Sequence, residues 1–303
     1  MTTDPHDVTP EQADRARRNR LTGIGLMCVA VFSFSFLDAI AKYLNAYMDT
    51  LQVVWARYTG GFVLTLLVFN PLSHPGLLRT KRPILQVVRA MLLVSSTLSN
   101  FLAFRYLQLD QALSILFSTP FLVAILAGPM LGEWIGWRRW LAILVGFSGV
   151  LLVTRPNAGG VHWAALYSLA SAVFYSFYII ATRLLTGTDR TDTMLFYSNL
   201  VGAVVMLPVL PFVGSIPDNP WLLVLMATFG AFGSFGHYLL IAAHRLAPAS
   251  SLAPFMYTQL VWAILLGYLI FADVPNSWTL AGAGVVVASG LYLLHRERVR
   301  GAA

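Results

Sequence analysis

The chain carries ten apolar stretches, each about the length of one bilayer crossing, with separators too short to hold a soluble domain. A spanning helix needs about 20 mostly apolar residues. Ten such stretches fall at 21–44, 51–70, 84–105, 111–131, 138–154, 162–184, 193–213, 221–243, 250–271 and 278–295. Several separators hold turn-forming residues, as in Asn70-Pro71, Arg155-Pro156-Asn157 and Pro217-Asp218-Asn219-Pro220. The apolar runs are continuous rather than alternating, which excludes a membrane β-barrel. Only 11% of the 303 residues are charged and 57% are hydrophobic. A soluble domain carries roughly 25% charged residues, so an ordinary soluble enzyme is excluded, and so is a disordered chain. The fold class is therefore an all-α integral membrane protein with ten transmembrane helices. Cys28 is the single cysteine, so no intramolecular disulfide can form.

The basic residues set the direction of the spans. One set of loops and tails holds fifteen Lys and Arg: Arg15, Arg17, Arg18, Arg20, Arg79, Lys81, Arg82, Arg138, Arg139, Arg183, Arg190, Arg245, Arg296, Arg298 and Arg300. The alternate loops hold three, Lys42, Arg105 and Arg155. This bias predicts cytoplasmic termini on both ends, with tails 1–20 and 296–303. The net charge of +7 is thus a topology signal rather than a nucleic-acid signal. The first span is too long for a signal peptide and reads as an uncleaved anchor in the cell (inner) membrane.

The two halves match at an offset between about 139 and 142 residues. Ala30-Val31-Phe32 matches Ala172-Val173-Phe174, and Lys42 matches Arg183. Ser148-Gly149 matches Ser289-Gly290, and Trp137 matches Trp278. Five spans is an odd number, so a second copy starts on the opposite membrane face. The halves are then inverted repeats, a recurring design of secondary transporters with the substrate held near the midplane.

On these residues the chain resembles the drug/metabolite transporter superfamily, in its EamA family of ten-helix carriers. The carrying residues are Trp55-Ala56-Arg57-Tyr58, Pro120, Gly132-Glu133, Gly146 with Gly149, Ala249 to Pro254 and Ala288-Ser289-Gly290. Ala272-Asp273 departs from the usual Gly-Glu. The resemblance implies two EamA five-helix repeats, 21–155 and 162–295, and transport of small metabolites, often amino acids. Within the family the chain is most similar to aromatic amino-acid exporters of YddG type. Asp38-Ala39-Ile40-Ala41-Lys42 also resembles members that import S-adenosylmethionine.

Ionisable groups inside a span are costly and mark function. Asp38 and Arg57 fall at similar depth and can pair, and Lys42 stands four residues from Asp38 on the same helix. These three are the gating or coupling candidates, with a snorkelling structural pair as the alternative reading. Arg89, near the basic side, reads as an anchor. Uncharged polar and aromatic residues give the binding candidates: Ser96 and Asn100 in span three, Tyr175 and Tyr178 in span six, His237 and Tyr238 in span eight, and Tyr257 and Thr258 in span nine. Ser171, Ser234 and Gln259 stand beside them. Such groups can hold an amino acid's ammonium and carboxylate while rings pack on its side chain. Interhelical hydrogen bonding is the competing explanation. Pro120 and Pro254 predict helix kinks in matching spans, a pointer to the binding site.

Gly146-Phe147-Ser148-Gly149 also fits an intramembrane serine-protease pattern, which needs His237 as the base. A non-transporting scaffold is a further alternative. There is no phosphate-binding Gly-x-x-x-x-Gly-Lys-Ser/Thr motif and no His/Cys metal spacing. The sequence therefore predicts no cofactor, metal or ATP. It predicts a carrier working by alternating access of its two halves, not an enzyme. Its partners are a small-molecule substrate and the lipid bilayer, without nucleic acid, in a monomer or homodimer.

Overall fold

The computed structural model describes residues 10–70, 76–107, 109–154, 163–272, 274 and 277–299. Helices account for all its regular structure, and no strand occurs among the described residues. The first half contains α1 (Pro10–Leu44), α2 (Thr50–Val68), α3 (Pro83–Tyr106), α4 (Leu109–Leu116), α5 (Thr119–Leu131) and α6 (Trp137–Thr154). The second contains α7 (Ala165–Leu185), α8 (Thr191–Met206), α9 (Leu210–Val213), α10 (Pro220–Leu246), α11 (Ala249–Leu252), α12 (Thr258–Phe271) and α13 (Ser277–Val299). Among the described residues, seven segments are long and apolar enough to cross a membrane whole, and three shorter apolar helices fall in spans four, five and ten.

Local chemistry fixes the ends. Asp49 caps α2 by accepting the Leu51 N–H at 2.8 Å, and Asn219 caps α10 by accepting the Trp221 N–H at 2.9 Å. Pro83 and Pro220 open α3 and α10, where a missing N–H costs nothing. Two boundaries differ from the sequence expectation. Helix α1 begins at Pro10, inside the segment read as the tail 1–20, and α13 runs to Val299, through residues assigned to the tail 296–303. Backbone hydrogen bonding continues a helix past its membrane segment, and charged residues such as the Asp14–Arg18 pair at 3.1 Å support it there. The residues Arg155-Pro156-Asn157 and Asp273 lie outside the described residues.

The predicted kinks are complete breaks. Span four divides at Phe117-Ser118, and Pro120 sits in the first turn of α5 rather than inside a helix. Span nine divides into α11, a 3-10 segment Ala253–Tyr257 whose first turn holds Pro254, and α12. Pro129, not singled out from the sequence, is the proline inside α5. The two broken spans also end alike. Gly132 closes α5 at φ 70° and Ala272 closes α12 at φ 56°, both left-handed. An alanine there carries a cost of about 1–2 kcal/mol that glycine avoids, which is what the Ala272 departure amounts to.

The packing obeys the duplication. Helix α1 lies on α10 as α7 lies on α3. Helix α2 lies on α10 as α8 lies on α3, and α1 meets α12 as α7 meets α5. The counterparts α2 and α8 pack on each other, and so do α6 and α13. The longest interfaces thus join the two halves across the pseudo-symmetry. Gly230 allows the closest approach: a Cβ there would collide with the backbone of Gly60 and Gly61 on α2. Large apolar side chains such as Leu67, Leu166 and Phe212 stand exposed on the outside, as a lipid-facing surface requires.

Candidate functional site

Helices α1, α2, α3, α4, α7, α10 and α12 line a cavity of about 60 Å³. Its polar lining is Asp38, Arg57, Ser96, Thr97, Asn100, Ser171, Tyr175, His237 and Gln259, and Phe34, Phe101 and Leu116 supply apolar wall. Sites for small organic ligands are typically ~300 Å³ or more. The cavity is therefore narrow around its polar groups, with room for a few waters, and it stays partly open.

Arg57 organises the lining. It donates from Nη1 to Tyr58 Oη at 3.1 Å and to Thr97 Oγ1, and from Nη2 to His237 Nε2 at 2.8 Å. An arginine can only donate, so His237 Nε2 is the acceptor and the ring proton sits on Nδ1. His237 Nδ1 then donates to Tyr178 Oη at 3.0 Å. Phe34 lies 4.6 Å from the His237 ring centroid. Arg57 and His237 are thus held in one orientation by partners from both halves.

The carboxylate of Asp38 accepts from Gln259 Nε2 at 2.8 Å, a contact between the first and last quarters of the chain. Asp38 and Arg57 line the same cavity, yet no ion pair joins them among the described residues. The direct pairing expected from sequence is replaced by separate hydrogen-bond shells. Ser96 Oγ donates to Ser171 O at 3.1 Å and Ser171 Oγ donates to Ser96 O at 2.8 Å, so these hydroxyls tie α3 to α7. Asn100 Oδ1 is buried without a partner, an open acceptor on the cavity lining.

Of the sequence candidates, the structure brings Asp38, Arg57, Ser96, Asn100, Tyr175 and His237 together. Tyr178 stands directly behind, stacked on Tyr175 at 5.5 Å. Four candidates lie elsewhere. Lys42 sits over the Phe271 ring at 4.6 Å instead of pairing with Asp38. Tyr257 is buried against α6, where a Cβ on Gly146 would lie 2.8 Å from its ring, and its hydroxyl faces Ile143 O at 3.5 Å. Thr258 faces an outer groove with Cys28, Phe32 and Trp262. Tyr238 stacks on Phe69 at 5.8 Å and lines a separate cleft with Arg190, Thr191 and Arg245. Adjacent helix residues diverge by about 100°, so one faces the cavity and its neighbour does not. Thr97 and Phe34 also line the cavity, though neither is among the sequence candidates. Thr97 had a signal, since it sits between Ser96 and Asn100 on one polar stretch.

Two further expectations change. Arg89, expected as an anchor near the basic side, is fully buried, with Nε donating to Thr182 Oγ1 at 2.9 Å and Nη1 to Ser198 Oγ at 2.9 Å and Met194 O at 3.0 Å. Ser148 is exposed and donates to Val145 O at 2.8 Å, while both nitrogens of His237 are occupied by Arg57 and Tyr178. The pair needed for a serine nucleophile is not assembled. Gly149 instead gives close packing, since a Cβ there would lie 2.8 Å from Gly282 O on α13.

On the side of the basic loops, two carboxylates hold the helix ends together. Glu133 accepts from Arg183 Nε at 2.7 Å. Asp189, in the α7–α8 connection, accepts from Thr80 Oγ1, from Gln86 Nε2 at 2.7 Å and from the Lys81 N–H at 3.2 Å. Burial alone would raise the Asp189 pKa; the hydrogen bonds from Thr80, Gln86 and Lys81 outweigh it and hold the carboxyl below its ordinary range. A depressed carboxyl stabilises the fold above its unfolded pKa of about 3.9, and that contribution fades as pH falls through the lower folded value. Melting of the detergent-solubilised protein should therefore lose stability below about pH 4. In D189N that part of the pH dependence should vanish, with a lower melting point at pH 7; an unchanged pH profile would remove this assignment.

The EamA-like transporter family matches residues 21–155 and again 162–294. A Rickettsia conorii protein named as an S-adenosylmethionine uptake transporter is 30% identical over 283 residues, covering 93% of this chain and 96% of its own. A riboflavin transporter of Rhizobium johnstonii is 26% identical, covering 90% of this chain and 91% of its own. A pseudopaline exporter of Pseudomonas aeruginosa is 26% identical, covering 91% and 97%. A crystal structure at 18% identity superposes with a TM-score of 0.73 over 93% of this chain and 98% of that one, which shows the shared fold. None of these three relatives is named for aromatic amino-acid export, so the narrower likeness to exporters of YddG type does not carry over.

Proposed function

The chain belongs to the EamA-like transporter family of membrane carriers for small metabolites, and from that premise we propose that it carries a zwitterion with an α-amino-acid head group, S-adenosylmethionine being the leading candidate. The observation that carries this is the pair of opposite charges in the cavity, Asp38 and Arg57, which face one space and feel each other's charge without closing into a direct ion pair. A buried charge is costly until paired. A ligand carboxylate on Arg57 and an ammonium on Asp38 and Asn100 Oδ1 would pair both at once. Phe34, Phe101 and Tyr175 offer ring surfaces to an adenine or to an aromatic side chain. Cation–π attraction to a sulfonium acts in the same direction.

The name borne by the Rickettsia relative supports the same substrate. Free amino acids, including aromatic ones, are the second reading, because the head group is identical and the ring wall suits them. Riboflavin has neither an ammonium nor a carboxylate and would leave Asp38 and Arg57 unanswered. The mirrored packing supports alternating access: two sets of helix contacts exchange, and the charged groups are reached from one face at a time.

Counterflow in proteoliposomes tests this. Liposomes loaded with unlabelled S-adenosylmethionine, Phe, Thr or Met should accumulate the labelled solute without ATP. Each run is made with and without a pH gradient. Exchange of riboflavin alone, with every amino-acid head group ignored, would overturn the reading.

A further inference from the structure

We infer that Arg89 and Gln86 form a second station for the substrate's amino-acid head group, on the side of the basic loops, reached after the central cavity. The inference rests on the carrier reading above. Arg89 is seven residues from Ser96 and four from Leu93 on α3, so it continues the cavity-lining face of that helix about two turns, or ~10 Å, toward the basic side. It is a guanidinium with 0% exposure, and its Nη2 has no hydrogen-bond partner. Asp189, whose charge it feels, is committed to Thr80, Lys81 and Gln86 and makes no ion pair with it. Its Nε and Nη1 are hydrogen-bonded, yet among the described residues no carboxylate is paired with it; a buried cation without an ion partner costs several kcal/mol, and a bound carboxylate in another stage of the cycle would offset it.

Gln86 supplies the complementary group. It is fully buried and one helical turn from Arg89. Its amide nitrogen donates to Asp189, which leaves Oε1 as a buried acceptor without a partner. An unused double donor and an unused acceptor on one helix face match a carboxylate and an ammonium. The arrangement repeats what the central cavity offers with Arg57 and Asn100.

What separates the two stations is movable. Arg57 holds His237, His237 holds Tyr178, and the Arg89 guanidinium lies over the Tyr178 ring at 5.0 Å. Arg57 and Arg89 belong to the first half, His237 and Tyr178 to the second. When the halves rearrange, a ligand carboxylate takes the place of His237 on Arg57. Tyr178 is then released, and the head group can pass to Arg89.

Two measurements test this. The first uses labelled S-adenosylmethionine exchange on oriented vesicles, with KM measured from each face. R89Q should raise KM on the basic-loop face about tenfold, the loss of one charged hydrogen bond, and leave KM on the opposite face within about twofold. R89K, keeping the charge, should recover part of it. Equal changes on both faces would overturn the station, since they are what a purely structural cation gives. The second does not depend on the substrate. In a C28S background, R89C should react with a membrane-impermeant anionic thiol reagent added from the basic-loop face and not from the other. Position 89 closed to reagent from both faces, in protein that elutes as folded, would also overturn it. If the wild type moves no S-adenosylmethionine yet position 89 labels from one face, the choice of substrate fails and the station stands.

Discussion

R57Q protein should fold and insert but bind its substrate tens to thousands of times more weakly. Arg57 donates to Tyr58, Thr97 and His237 and lines the cavity. Among the described residues it is the one cation lining that space, so the ligand carboxylate depends on it. Removing one partner of a buried charge pair costs ~2–5 kcal/mol, or about 30-fold to several thousand-fold in affinity. A secondary effect acts in the same direction. Without the Arg57 donor, His237 Nε2 is no longer compelled to accept, and the hydrogen bond to Tyr178 loses its fixed tautomer. R57K should fall between, because an ammonium keeps the charge but cannot span three partners. The measurement is the half-saturation concentration in counterflow, with gel filtration as a control for folding. A change of less than about threefold in R57Q, little more than 0.6 kcal/mol, would mean that Arg57 is structural.

D38N should separate substrates by their charge. The Asn side chain is nearly isosteric and can still accept from Gln259 Nε2, so the link between α1 and α12 survives. The negative charge is lost. Two unit charges 4 Å apart attract by about 4 kcal/mol at an effective dielectric of 20, and part of this is offset by desolvation. The expected loss is therefore about 10- to 100-fold in affinity for solutes carrying the α-ammonium. A deaminated analogue with the same carboxylate should bind to D38N and wild type alike. Equal weakening of both solutes would show that Asp38 shapes the cavity rather than reading the ammonium. The same variant addresses energy coupling. If a pH gradient drives uptake by the wild type and not by D38N, Asp38 carries the proton; if the two respond identically, it serves the substrate alone.

The sequence by itself determined the spans, their number and their inverted duplication, because the bilayer acts on each segment separately. A crossing must be long, apolar and helical whatever its neighbours are, so hydropathy and loop charge suffice. Pro120 and Pro254 also betrayed the two broken spans, since the missing N–H acts locally. Only the tertiary structure decided which polar side chains meet. Thr258 and Gln259 are neighbours in sequence, yet Gln259 holds Asp38 while Thr258 faces the outer groove; His237 and Tyr238 divide in the same way. In water an apolar stripe marks the buried face of a helix. In a membrane the lipid-facing and protein-facing sides are both apolar, so rotation about the helix axis leaves little trace in hydropathy. Arg89 shows the limit most clearly: near a helix end it reads as an anchor on the basic side, and packing by α7 and α8 makes it a fully buried cation.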